Sequence, residues 1–355
     1  YEYIKIGGGV HVRDWKQEDP TYNTQAEKLY KRFPVGNKHD ATKSREGVFQ
    51  FAAADGFTFE WWMKKNAFDT NFTDKEVILD IWNRETSATT YGRIVIEMDR
   101  TQASAFRFTY MSGTAGGDGV DQIALTDAYG ESDIADGNWH YYAVSALPYL
   151  DGAQPKLNVK FYKDGVVLKE AVHNTNAVLG DIGFRPEAYI GALRTAQNGG
   201  LGAQYAGKLS ASIDEVRFWK KRIDSQQIYN NWYYPIGGGS NTDDYRNYLG
   251  LYYKFNEGIT GTSTIDSVVM DYSGRVANGT WTGYNASSRN TGSCYVSSSV
   301  TEAVEPADPI IRAAHPRVTA LLAEMSTSGS QFDVKNPSYM FDMVPAWMRD
   351  RDELE

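Results

Sequence analysis

The sequence predicts an all-β protein, an antiparallel sandwich of two sheets, on three observations. Short runs with every second residue apolar recur from Phe57 to Phe255. Turn residues separate them and helical periodicity between them is nearly absent, which argues against a parallel sheet with crossover helices. The composition agrees: 33 Gly and 14% aromatic residues, with 24 Tyr and 9 Trp, suit strands joined by tight turns.

Each element has its own signal. Thr24 with Glu27 three residues on fits a capping box, and Ala26, Leu29, Tyr30 and Phe33 follow at helical spacing until Pro34. The period then changes to two. Phe57, Phe59 and Trp61 are expected to face inward, and 77–82, 93–98, 106–110 and 139–144 read as further strands, with Trp139 also placed inward. Asp164-Gly165 joins the runs on either side in a two-residue hairpin, because both central positions need positive φ. Strands at 188–192 and 213–219 follow, then a short helix over 225–233 that Asp224 and Gln227 cap. Leu251, Tyr253 and Phe255 share a face and need a partner surface, so 249–283 is expected to pair onto the same sandwich. The outer faces read as polar from the alternation.

Composition excludes some functions. The chain has 355 residues, 36 Lys plus Arg against 45 Asp plus Glu and a net charge of −9, so no basic surface for nucleic acid is expected. No apolar run approaches the ~18 residues of a membrane span, so no membrane insertion is expected. A single Cys, Cys294, leaves no disulfide framework and no Cys-based zinc site. The chain opens without Met and stops in a charged stretch, so it is expected to be a segment of a longer polypeptide.

Three segments together resemble the laminin-G-like, concanavalin A-like jelly roll. They are Phe57-Thr58-Phe59-Glu60-Trp61-Trp62-Met63, then Gly137-Asn138-Trp139-His140-Tyr141-Tyr142-Ala143-Val144 with the Phe161–Gly165 hairpin, and Ile213-Asp214-Glu215-Val216-Arg217-Phe218-Trp219 with the helix to Trp232. Leu251–Gly258 with Asp271-Tyr272-Ser273-Gly274 is similar to an element that normally opens such a domain, whereas here it follows the roll. The implied organisation is a lead-in with a short helix over 1–44, the jelly roll over 45–235, strands completing it over 236–285, and a linker and helical anchoring tail over 286–355. Residues 308–355 resemble a junction in tailed-bacteriophage virion proteins. That resemblance implies a virion structural protein of tail or baseplate type, located in the virion, with other virion proteins as partners through the tail. Val318, Leu321, Leu322 and Met325 form one stripe of that tail. The alternatives are a bacterial surface or extracellular adhesin and a glycoside hydrolase.

The chemistry to be expected is binding, not catalysis. Neither a nucleophile elbow nor a phosphate loop occurs. Glycosidases of the concanavalin-like superfold carry Glu-x-Asp-x-x-Glu on one strand, for two carboxylates ~5 Å apart. Here Glu97 and Asp99 share a face, but the third position is Gln102, so the chain is expected to be no enzyme. His140 is read as structural, with no carboxylate near it in sequence, and Asp214 as a buried hydrogen-bonding residue. Host-surface glycan would lie on rings and amides in long loops, and the nominated residues are Trp82, Asn83, Tyr129, Asn198 and Tyr205. Calcium is the one cofactor considered. Hard cations want several oxygen ligands from a flexible loop, which nominates Asp118, Asp121 and Asp127.

Overall fold

The computed structural model describes residues 3–6, 48–49, 51–69, 75–87, 89–112, 119–180, 182, 186–195, 206–233, 236, 247–255, 262–274 and 277–282. All belong to one compact unit, Tyr1–Arg312. The expected helix at 24–33, the linker and the tail with its apolar stripe lie outside the described residues.

Among the described residues, fourteen strands build two antiparallel sheets. In chain order they are β1 (Tyr3–Ile6), β2 (Phe57–Lys64), β3 (Lys75–Trp82), β4 (Arg93–Asp99), β5 (Phe106–Met111), β6 (Gly119–Ala124), β7 (Trp139–Asp151), β8 (Gln154–Lys163), β9 (Val166–Asn174), β10 (Glu187–Ile190), β11 (Ser212–Trp219), β12 (Leu249–Tyr253), β13 (Val268–Val269) and β14 (Gly279–Thr282). The eight-stranded sheet runs β13-β14-β1-β10-β3-β4-β5-β6, and the six-stranded sheet runs β12-β11-β2-β7-β8-β9. Among the described residues, three short α-helices, α1 (Glu131–Ile134), α2 (Ser225–Asn231) and α3 (Ser263–Asp266), and a 3-10 turn at Ala53–Asp55 punctuate them. The molecule is an antiparallel jelly-roll sandwich.

The strands are where alternation puts them because a pleated backbone turns successive side chains to opposite faces. Phe57, Phe59, Trp61, Ile94, Ile96, Met98, Phe106, Phe108, Tyr110, Tyr142 and Val144 meet in one core between the sheets. Its centre is aromatic: Phe57 stacks on Phe218 at 5.8 Å between centroids, and Phe106 leans on Phe161 at 4.8 Å. Asp164 and Gly165 take the positive φ values of 50° and 79° that the hairpin requires. Asp224 caps α2, its side chain accepting the Gln227 N–H at 2.8 Å.

Three expectations are corrected. Trp139 pairs with Lys64 and shares the outward parity of Tyr141 and Ala143, so it is half-buried on the outer face and His140 takes the inward parity. The outer face of the six-stranded sheet is not polar throughout, because its β12-β11-β2 side is covered. Residues 222–233 and Ile236 lie over that side, with the Arg222 N–H bonded to Asp55 O, the Ile223 N–H to Thr58 Oγ1 and the Ile236 N–H to Tyr252 Oη. Trp232 stacks on Trp62 at 5.5 Å beneath them. Finally, residues 3–6, read as part of a lead-in, form a strand between β14 and β10. β12 pairs with β11, and β13 and β14 reach the other sheet through β1, so the segment after residue 248 adds strands to both sheets.

Under this cover lies a group of buried charges. Arg217 donates to Glu60 at 3.3 Å and to Glu215 at 2.8 Å, Tyr252 donates to Glu215, and Arg217 sits 5.1 Å over the Tyr252 ring. A bulge between Asp214 and Arg217, with Glu215 at φ 50°, lets Glu215 reach this group. The buried acid here is therefore Glu215; Asp214 is half-buried and accepts the Glu215 N–H. Burial raises the Glu60 pKa even with Arg217 beside it.

Candidate functional site

Residues 222–233 and Ile236 cover part of one outer face, and the other, on the eight-stranded sheet, carries a cluster of charged side chains. Residues 191–195 and 206–211 cross part of it. The Leu193 N–H bonds to Ala206 O, the Val77 N–H to Gly207 O and the Arg194 N–H to Asp80 Oδ2, over a small apolar cluster of Val77, Val95 and Leu193. Next to this strap β3 ends and the 83–92 loop begins.

The floor of the site is an ion pair. Arg93 on β4 forks onto Asp80 on β3, with Nε to Oδ1 at 2.7 Å and Nη2 to Oδ2 at 2.8 Å, and Nη2 also reaches Thr195 Oγ1 at 3.1 Å. Burial alone would lower the Arg93 pKa, but the Asp80 carboxylate outweighs it and the net shift is upward, so the guanidinium stays charged. Trp82 flanks it, with the Arg93 guanidinium carbon 5.7 Å from the ring centroid.

The rim comes from the loop. Asn83 uses its whole amide there: Nδ2 donates to Thr90 O, and Oδ1 accepts the Glu85 and Gly92 N–H groups. Those bonds fix the backbone on both sides of Arg84, which has φ 65°, a left-handed conformation that costs a residue with a Cβ of order 1 kcal/mol or more. The result is an Arg84 side chain that remains largely exposed while Nη1 touches Glu187 Oε1 at 3.3 Å. Glu187 also accepts from Tyr189 Oη at 3.1 Å and lies 3.9 Å from Arg194 Nε. Half-buried Tyr91, whose hydroxyl accepts from Arg93 at 3.4 Å, completes the rim. The patch offers guanidinium donors and a carboxylate acceptor side by side, with the Tyr91 hydroxyl joined to Arg93 in its floor.

The nominated residues fare differently. Trp82 is 5% exposed and donates its indole N–H to Glu85 O, so it supports the rim and offers no open ring face. Asn83 shapes the loop. Tyr129 lies elsewhere, on the rim beside β5 and β8, half-buried against Phe106 at 6.2 Å, with its hydroxyl accepting from Lys163 Nζ at 2.6 Å and donating to Asp133 O at 3.0 Å. Asn198, Tyr205 and Asp118 lie outside the described residues. Asp121 accepts from Thr109 Oγ1 at 2.9 Å, whereas Asp127 pairs with Lys169 on β9 at 2.7 Å, so these two acids face different partners. Among the described residues, no three His, Cys, Asp or Glu side chains gather as a metal site. Glu97 is paired with Lys75 at 2.9 Å, Asp99 accepts from the backbone and hydroxyl of Thr101, and Gln102 accepts from Arg107.

Sequence reading missed Arg84, Tyr91, Arg93, Glu187 and Arg194 as a group. The one local signal was Trp82-Asn83-Arg84 at a strand end; Glu187 stands 103 residues from Arg84 in the chain. The expectation that no carboxylate lies near His140 is wrong. Its Nδ1 is 2.8 Å from Asp164 Oδ2 and its Nε2 is 2.8 Å from Asp136 Oδ2, so two carboxylates clamp the ring. With both nitrogens committed it has no lone pair for general-base work, and the structural reading stands on a different reason.

No family model and no curated protein matches the chain. Several solved structures are similar to it at low identity. A protein of Bacteroides ovatus described as carbohydrate-binding is 18% identical, with 65% of this chain and 52% of that chain covered and a TM-score of 0.38. Domains LG4-5 of the mouse laminin alpha1 chain are 12% identical, with 50% or less of either chain covered (49% and 38%) and a TM-score of 0.31. The CBM40 of a Ruminococcus gnavus IT-sialidase is 12% identical over 50% of this chain and 82% of that one, at a TM-score of 0.34. The chain thus spans about half the length of the first of these.

Proposed function

We propose that the sandwich is a non-enzymatic carbohydrate-binding module whose ligand lies against the Arg84 patch. The observation that carries this reading is the strained, loop-locked backbone that holds Arg84 outward beside Glu187, Arg194 and Tyr91. Sugars ask for fixed planar donors and acceptors that satisfy neighbouring hydroxyls, and for a ring against their apolar face. Backbone strain is worth keeping where such groups must be presented in one geometry. The engaged state of Glu97 and Asp99 supports a non-catalytic role, since a glycosidase needs one carboxyl to act as acid and another as nucleophile or base. Binding of the purified chain to an array of bacterial surface glycans is the test. Arg84→Ala and Tyr91→Ala should each weaken binding about tenfold or more, as removal of a central contact does. Binding untouched by both variants, or reducing-sugar release by the chain, would overturn the proposal.

The proposal extends to the setting, in which the module is displayed on a tailed-phage particle and residues 306–355 attach it to other virion proteins. It is supported by the resemblance of 308–355 to tail-protein junctions. Peptides of this chain in purified virions would support it; their presence only in a bacterial surface fraction would favour the adhesin.

A further inference from the structure

The edge of the six-stranded sheet carries a histidine that nothing above uses. β9 is bonded to β8 on one side only and is the last strand of its sheet among the described residues. Its inward side chains are Lys169, Ala171 and His173, opposite Phe161, Val159 and Leu157 of β8. Across the gap, Ile123, Ala124 and Leu125 at the end of β6 close a cleft between the two sheets, too narrow to admit a water molecule. His173 lines this cleft, and its Nε2 is buried without a hydrogen-bond partner.

A neutral imidazole tolerates that position at the cost of one unmade bond. An imidazolium fits it less well, because both of its nitrogens carry donors and the buried Nε2 would hold one with no acceptor, next to the Lys169 charge. The charged groups facing the cleft are Lys169 and Asp127. Lys169 is on β9 itself and closes the edge by donating to Asp127 Oδ1 at 2.7 Å and Thr126 O at 3.3 Å, so it adds repulsion. The faces of β6 and β8 lining the cleft are apolar, and Glu170, Lys160 and Arg222 pair with one another on the opposite side of the sheet. Burial and then Lys169 lower the His173 pKa.

We propose that β9 is an acid-released edge strand: protonation of His173 favours a conformation in which β9 leaves the inner face and the cleft above Leu157, Val159 and Phe161 opens. The position of the strand suits the role. β9 has no second strand beside it among the described residues, and Val166, Val167, Leu168 and Val172 are exposed already, so apart from the side-chain pairs of Lys169 and Glu170 little opposes its movement.

Amide hydrogen exchange on the whole chain at pH 5.0 and 7.5, corrected for intrinsic rates, tests this. Protection over 166–174 should fall threefold or more at the lower pH while 57–64 holds, and His173→Gln should abolish the difference. Equal protection at both pH values, or a difference that persists in His173→Gln, would overturn it. If that variant fails to fold, the His173 ring followed by NMR in the native chain decides. Titration below free histidine, moving together with the β9 amides, supports the switch; titration at or above free histidine, or without the β9 amides, refutes it.

Discussion

Single residues on this scaffold are held by partners far away in the chain, and their titration reflects it. His140 would lose basicity through burial, but its bonds to Asp164 and Asp136 outweigh that and raise its pKa in the fold. Its contribution to stability is therefore fully present below the unfolded pKa near 6.5 and is lost as pH rises through the higher folded value. His140→Gln should lower the melting temperature more at pH 5.5 than at pH 8.5, and an equal loss at both would show that the clamp is not electrostatic. His173 has the opposite sign, since its folded pKa is lowered and its neutral form is the one the fold accepts. One sheet thus carries two histidines that pull stability in opposite directions as the medium acidifies. Arg217 is a different case, for it sits with two carboxylates under a cover that excludes water, and its value lies in keeping Glu60 and Glu215 from being buried without a counter-charge.

Among the elements, α2 shows how a short helix can matter beyond its length. Seven residues would not stay helical alone in water, where ~12–15 are already marginal. What holds them is the Asp224 cap, burial of Ile228 and the bond between Tyr162 and Ser225 at 3.0 Å. The same segment delivers Trp232 onto Trp62, and onto Gly165, where a Cβ would come within 2.3 Å of the indole. Asp224→Ala should cost about 1 kcal/mol by leaving the Gln227 N–H without its cap. Chemical denaturation at fixed pH measures it; a change below about 0.3 kcal/mol would mean that packing alone fixes the helix start.

At the level of the whole molecule, both sheets depend on strands contributed after residue 248. β12 covers the open side of β11 and supplies Tyr252 to the buried charges, while β14 pairs with β1. A chain ending at residue 245 should lose on the order of 10 °C in melting temperature, at ~2–4 °C per kcal/mol for a domain of this size. An unchanged melting curve would show that those strands are appended to the sandwich without supporting it.

How much was legible in the sequence follows from which interactions are local. The inward set Phe57, Phe59 and Trp61, the Asp164-Gly165 turn and the Asp224 cap could be read directly, because pleat, turn and cap geometry are decided within a few residues. β1 escaped because four residues beside Gly7-Gly8-Gly9 carry too short an alternation to register. Trp139 was misplaced by its resemblance to a family position, although strict alternation back from Val144 and Tyr142 puts it outward. The rest belongs to contacts between remote residues. Arg217 meets Glu60 across 157 positions, Arg84 meets Glu187 across 103, and His140 meets Asp164 across 24. By itself the sequence determined the antiparallel strands and the face each turns to the core. Only the tertiary structure decided which part of an outer face is covered, which arginine is presented and which histidine is clamped or stranded, since burial and charge pairing depend on the distances that chain closure creates.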